Sequence, residues 1–271
     1  MLAALGSFLD ARAHGGRWLV RMEDLDAPRS LPGADARILR TLEWLGLTWD
    51  GPVEYQSART PHYAQALEAL TARGLTYPCS CSRAEREPGG QPYPGRCRSS
   101  PARAGPTALR FRIEDDRPVE LADRIQGRCG YVLGALGDVV LRRRDGVFAY
   151  QLAVVVDDAL QGVTDVVRGA DLIDSTPWQL ELYRALGRPT PRHAHLPLLV
   201  EPDGAKLSKS RRAQPVGAEP AGRVLHRTLE LLRQDPPAEL AAGSPGPLLE
   251  WAVRHWDPIR LKGLRRLPVP P

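Results

Sequence analysis

Apolar positions in this 271-residue chain recur at helical spacing in some stretches and cluster into short β-rich runs in others. In "TPHYAQALEALTARG" (60–74), Tyr63, Leu67 and Leu70 share one face, with Thr60 placed to cap, Pro61 to open and Gly74 to stop a helix. "STPWQLELYRALG" (175–187) repeats that design with Thr176, Pro177, Leu182 and Gly187. Ile38, Leu42 and Leu45 predict a helix between Pro32 and Gly46, and another is expected around 222–233. Leu2, Leu5 and Leu9 share a face, so the chain begins inside a helix. Strand-like runs lie between, at 17–22, 138–143, 163–169 and 195–200. Strands alternating with helices predict a mostly parallel α/β sheet. Such a sheet ordinarily opens with a strand and a phosphate-binding turn, so the expectation is that roughly twenty residues of the fold precede residue 1.

Residues 79–106 break the alternation. They are rich in Pro, Gly and Arg and poor in core residues, and read as an inserted lobe held by something other than packing. After Pro215 the chain turns rich in Ala, Pro and Leu and reads as a small helical appendage. The expected organisation is a first part of the core over 1–78, an inserted lobe over 79–137, a second part of the core over 138–214 and a helical tail over 215–271.

Composition narrows the class. The apolar fraction of 42% and charged fraction of 25% are ordinary for a globular chain. No run of eighteen apolar residues and no basic-flanked leader is present, so the expectation is a cytoplasmic protein without a membrane partner. The net charge of +5 fits a nucleic-acid or phosphate partner. Of 37 basic side chains all but three are arginine, and two of the three lysines, Lys206 and Lys209, fall in "EPDGAKLSKSRRA". After the apolar run at 195–200 and a turn at Pro202–Gly204, that loop is laid out to hold polyphosphate. Lysine is a compact charge on a long stem, suited to phosphate charge that moves.

Other residues carry candidate chemistry. Glu23, at the end of a strand, can bind the ammonium of an amino acid, whereas Asp24 and Asp26 read as structural. Arg168 ends the strand 163–169 and can grip a carboxylate through two parallel hydrogen bonds, with the Tyr150 hydroxyl as an added donor. Asp165 puts an anion near that pocket. His193 and His195 read as capping or core residues. Cys79, Cys81 and Cys97 stand within nineteen residues, and in a reducing compartment such thiols suit tetrahedral Zn²⁺. Chemistry alone would make Cys129, or a histidine, the fourth ligand.

The lysine loop resembles the Lys-Met-Ser-Lys-Ser signature of class I aminoacyl-tRNA synthetases. "RWLVRMEDLDAPR", "YQSARTPHYAQALEAL", "DGVFAYQLAVVVDDALQGVTDVVRGADLIDSTPWQLELYRALG" and "HLPLLVEPDGAKLSKS" follow the glutamyl-tRNA synthetase catalytic domain in order and spacing. The short length and Cys-rich insertion are similar to the glutamyl-Q tRNA(Asp) synthetase family, without an anticodon-binding domain. The resemblance implies a Rossmann-like catalytic core with an inserted zinc lobe. It implies activation of L-glutamate with ATP and Mg²⁺, and transfer to queuosine in the tRNA(Asp) anticodon; the expected oligomeric state is a monomer. It assigns Glu23, Tyr150 and Arg168 to glutamate, Lys206 and Lys209 to catalysis with Lys209 on ATP, and Tyr93 as the fourth ligand of one structural zinc beside Cys79, Cys81 and Cys97. "AHGGR" at 13–17 is not the family's His-Ile-Gly-His-type motif, because it follows a helix; that motif is expected upstream of residue 1. A truncated or discriminating glutamyl-tRNA synthetase acting at the tRNA 3′ end and a non-catalytic zinc-containing RNA-binding remnant are the competing readings.

Overall fold

In the computed structural model, which describes residues 1–26, 31–82, 85, 92–93, 95–100, 103–113, 117–201 and 219–268, helices and strands alternate as the apolar pattern requires. The chain opens with helix α1 (Leu2–Ala13), strand β1 (Arg21–Met22), helix α2 (Ala34–Trp44), strand β2 (Glu54–Tyr55), helix α3 (Thr60–Ala72) and strand β3 (Thr76–Cys79). Strands β4 (Ala108–Phe111), β5 (Pro118–Asp123) and β6 (Gly127–Val132) follow, then the single turn α4 (Leu133–Leu136) and β7 (Val140–Arg142). The second half runs α5 (Tyr150–Gln161), β8 (Asp165–Gly169), α6 (Thr176–Ala185), β9 (Arg192–Leu196) and β10 (Leu198–Val200). It continues with α7 (Ala221–Leu231), α8 (Pro245–His255) and β11 (Arg266–Pro268).

Strands β8 and β9 run parallel, from Asp165 opposite Arg192 to Gly169 opposite Leu196. Strand β5 joins β9 in parallel at Asp123–His193, and β6 folds back on β5. Parallel pairs also join β1 to β2 and β10 to β11, while β3, β4 and β7 form an antiparallel sheet. The architecture is mixed α/β with parallel sheet. The run 195–200 is two strands rather than one, because Pro197 between them has no amide to donate. The β5–β6 hairpin lies inside the 79–137 stretch, yet it hydrogen-bonds to the sheet that carries β8 and β9.

Two caps differ from expectation. Thr60 and Thr176 are the first residues of α3 and α5's successor α6, not their caps; Arg59 and Ser175 precede them without side-chain capping bonds. A 3₁₀ turn runs straight into each helix, at Gln56–Arg59 and Ala170–Ser175, and supplies acceptors that a free helix end would seek from a side chain.

One apolar core joins Leu5 and Leu9 of α1, Trp18, Val20, Leu196 of β9, Leu225 and Leu229 of α7, Leu248 of α8, and Leu261 and Leu267. Helix α1 lies so close to β9 that a Cβ at Gly6 would meet Leu196 Cδ1 at 2.5 Å. The C-terminal residues are therefore packed into the main core and are not an appendage. A second core gathers Tyr63, Leu67 and Leu70 of α3, Leu152 to Val156 of α5, and Leu182 and Tyr183 of α6. Among the described residues, no helix is long and apolar enough to cross a membrane.

Candidate active site

The C-terminal half of α1, the segment 16–23, the end of α5 and strand β8 enclose a cleft of about 660 Å³. Glu23, Tyr150 and Arg168 all line it, so the three residues expected to hold an amino acid do share one cavity. Parallel β-structure places two of them: Glu23 directly follows β1, and Arg168 lies near the carboxyl end of β8. Tyr150 is the first residue of α5.

Arg168 is held by five neutral groups. Its Nε donates to His195 Nε2 at 3.1 Å, and one Nη1 hydrogen goes to the Tyr150 hydroxyl at 3.0 Å. Its Nη2 donates to Gln179 Oε1 at 2.7 Å and Thr176 Oγ1 at 2.9 Å, with the Leu172 carbonyl at 3.4 Å. A guanidinium has one Nε hydrogen and two on each Nη. Among the described residues this leaves one Nη1 hydrogen without a partner and no carboxylate paired with Arg168. The Tyr150 hydroxyl accepts from Arg168, so its own hydrogen is available to a ligand. An incoming carboxylate would thus meet one hydrogen from Arg168 and one from Tyr150, not the two-pronged fork of arginine expected from sequence.

Arg21, in the same cleft, is the opposite case. It donates to Asp158 at 2.8 Å and Gln161 at 2.5 Å and lies 3.7 Å from Asp157 and 3.9 Å from Glu23. Burial would lower its pKa, but Asp158, Asp157 and Glu23 raise it. Glu23 keeps 45% of its side chain open to solvent within the concave cleft. Loss of bulk water nevertheless raises its carboxyl pKa; Asp158 and Asp157 add to the shift, while Arg21 and Arg168 oppose it. A cationic group placed beside Glu23 would relieve that strain. Asp24 accepts the Ser57 amide and hydroxyl, and Asp26 accepts from Arg143, which are structural roles as expected.

Asp165 contributes no free anion to the pocket. It accepts from Arg192 at 2.8 Å, Thr164 at 3.0 Å and Arg124 at 3.2 Å, and these partners outweigh burial and lower its pKa. Arg124 also grips Asp10 of α1 with two hydrogen bonds, at 2.7 and 2.9 Å, and Trp256 Nε1 reaches the same carboxylate at 3.1 Å. The sequence pointed to His193 and His195 as capping or core residues; both are buried, and His195 additionally contacts Arg168.

Away from the cleft, the Sγ atoms of Cys79, Cys81 and Cys97 lie within 4.8 Å of one another. The Tyr93 hydroxyl is 3.5 Å from Cys79 Sγ and 3.6 Å from Cys81 Sγ. Tetrahedral zinc with sulfur at about 2.3 Å and oxygen at about 2.0 Å would set S···O separations near ~3.5 Å, so this donor set fits the ion. Cys129 stands apart in β6, where its thiol faces the Gly127 carbonyl and Arg265. Burial raises the Cys97 thiol, but hydrogen bonds from Tyr93 and the Ser80 amide outweigh it and bring the pKa to about 7. The neighbouring Asp138 anchors the lobe: it accepts from Tyr77, from Arg98 twice at 2.6 Å, and from the Ile113 amide at 2.8 Å. Gly137 has φ +71°, and a Cβ there would meet the Tyr93 carbonyl at 2.8 Å. Lys206 and Lys209 lie outside the described residues.

The parallel strands β8 and β9, the cleft that runs along β8 and the Cys-rich lobe belong to a Rossmann-like α/β core. The family model for the catalytic domain of class I tRNA synthetases (E and Q) matches residues 2–220, and the chain belongs to that family. The chain is 53% identical to the glutamyl-Q tRNA(Asp) synthetase of Pseudomonas paraeruginosa over 269 residues, which is 99% of this chain and 92% of that one. A relative of the same name from Pseudomonas aeruginosa is 52% identical over the same shares. The crystal structure of a glutamate tRNA ligase from Elizabethkingia meningosepticum, in complex with its amino acid, shares the fold. Its TM-score is 0.80 at 24% identity, covering 98% of this chain and 63% of that one.

Proposed function

We propose that this protein activates L-glutamate with ATP and transfers it to queuosine in the anticodon of tRNA(Asp). The observation that carries the reading is Arg168, a half-buried guanidinium that faces a cleft and, among the described residues, has neutral partners and one hydrogen unspent. The glutamate side-chain carboxylate would take that hydrogen and the Tyr150 hydroxyl, and its ammonium would lie against Glu23. The α-carboxylate would attack the α-phosphorus of ATP, forming a mixed anhydride and releasing pyrophosphate. Magnesium would accompany ATP as its counter-ion. Lys206 and Lys209 would offset the charge that gathers on the leaving pyrophosphate. A nucleoside hydroxyl of tRNA would then take the glutamyl group and release AMP. Cys79, Cys81, Tyr93 and Cys97 would hold one zinc ion, which when bound organises a lobe with little apolar packing of its own. The choice of queuosine rests on the names of relatives about half identical along nearly the whole chain.

The test uses labelled glutamate, ATP, and tRNA(Asp) prepared with and without queuosine. Label is expected only on the queuosine-bearing tRNA, at the anticodon. Label on the 3′-terminal adenosine would support a glutamyl-tRNA synthetase instead, and tRNA binding with no transfer would support an RNA-binding role. Lys209→Ala is expected to slow glutamate-dependent pyrophosphate exchange on the order of 10²-fold, as loss of a fixed charge-stabilising donor does elsewhere.

A further inference from the structure

Behind Arg168 stand two groups shut away from solvent, His195 and Asp123, whose side chains are both 0% exposed. Asp123 Oδ1 accepts the amides of Gln126 at 2.7 Å, Ile125 at 3.0 Å and His195 at 3.2 Å, and Oδ2 lies 2.6 Å from His195 Nδ1. Burial would raise this carboxyl, but the hydrogen bonds from His195 and the backbone outweigh it and hold the pKa below its ordinary value. Asp123 is therefore ionised and can only accept, which puts the imidazole hydrogen on Nδ1. On the other side, Arg168 Nε can only donate, so His195 Nε2 must be the bare nitrogen. One tautomer satisfies both contacts.

We propose that Asp123 and His195 are positioning residues for Arg168. The carboxylate fixes the tautomer, the imidazole takes the Nε hydrogen, and the guanidinium is left with a single Nη1 hydrogen for the ligand. Without that acceptor, Nε competes for the carboxylate, and the two-residue grip made with Tyr150 gives way to a rotated arginine. The arrangement resembles in its logic the buried aspartate of a catalytic triad, which sets a histidine tautomer without touching substrate. The proposal rests on the reading of Arg168 as a glutamate-binding residue.

Glutamate binding by titration calorimetry, with ATP binding as control, tests it in four variants. Asp123→Asn keeps the shape but donates to Nδ1, which moves the imidazole hydrogen to Nε2 and sets it against Arg168. Asp123→Asn and His195→Leu are each expected to weaken glutamate binding on the order of 10-fold, the worth of a hydrogen bond to a charged group, with ATP binding unchanged. His195→Gln, whose side-chain oxygen can accept from Nε, is expected to recover most of the loss. Wild-type glutamate affinity in Asp123→Asn and His195→Leu, with Arg168→Leu still impaired, overturns the positioning role alone. Wild-type affinity in Arg168→Leu overturns the reading beneath it. Nitrogen-15 spectra of the unaltered protein give an answer that no variant's folding can obscure: a protonated Nδ1 on His195 supports the proposal, and a protonated Nε2 overturns it.

Discussion

Arg21 and Arg168 line the same cleft with opposite surroundings. Arg21 is matched by Asp158, Asp157 and Glu23, whereas Arg168 has hydroxyls, an amide oxygen and an imidazole. A guanidinium with no carboxylate paired to it among the described residues is the asymmetry that asks for an anionic ligand, while Glu23, whose carboxyl is raised by lost hydration, asks for a cation. Because an ammonium needs Glu23 ionised, glutamate affinity is expected to fall as pH drops through that raised pKa. The loss begins above the range where the ligand's own side chain titrates. Calorimetric titrations across pH would check this, and Glu23→Gln should bind more weakly and lose that part of the pH dependence.

Strand β9 carries a second titratable consequence. His193 is buried beside Arg168 and His195, and burial first, then those neighbours, lowers its pKa to about 4. The unfolded chain takes up this proton near pH 6.5 and the folded one does not until about 4, so stability is expected to be flat above pH 6.5 and to fall as pH drops below it. The full span is worth about 3 kcal/mol. Urea midpoints at pH 5 and 7.5 would show the difference, and His193→Gln should shrink it. The Cys lobe allows a test of a different kind. One zinc per chain is expected by elemental analysis, lost in Cys97→Ser. Chelation should speed hydrogen exchange at 77–81 and 108–111 while leaving 221–231 unchanged, because little besides Tyr77 and Tyr93 packs with the thiols.

Much of this was legible beforehand, and the failures are physical. Leu67 and Leu70 announce α3 because one face meets a core and the other meets water, while α6, buried on nearly every side, is announced by its punctuation, Pro177 at the start and Gly187 past the end. Helix α5 did not announce itself: Val154, Val155 and Val156 favour strand locally, and residues 152–158 are buried all round, which erases the helical period. Glu23 and Arg168 could be picked out because strand ends attract ligands, whereas Tyr150 came from the family resemblance. The roles of Asp123, His195, Thr176 and Gln179 could not, since each is an ordinary buried polar residue until a neighbour in space gives it a donor to receive. Asp165 was unaccountable for the same reason, its partners being Arg124 and Arg192.

Across the molecule, arginine dominates the positive charge, and many of these side chains are exposed. Binding to tRNA is expected to weaken steeply with salt, with log affinity falling by roughly 0.7 to 0.9 per phosphate contact for each tenfold rise in salt. Filter binding across a salt series would measure it, and an affinity indifferent to salt would argue against an arginine-guided RNA path. The cores impose an order of another sort. Leu225, Leu229, Leu248, Leu261 and Leu267 cover Leu5, Leu9 and Trp18, and β11 seats itself beside β10. A nascent chain emerging from the ribosome cannot close helix α1 against these partners until residues 225–267 have been made. A stop before residue 225 therefore releases a polypeptide whose Leu5, Leu9 and Trp18 lack that cover, fit for a protease rather than for work.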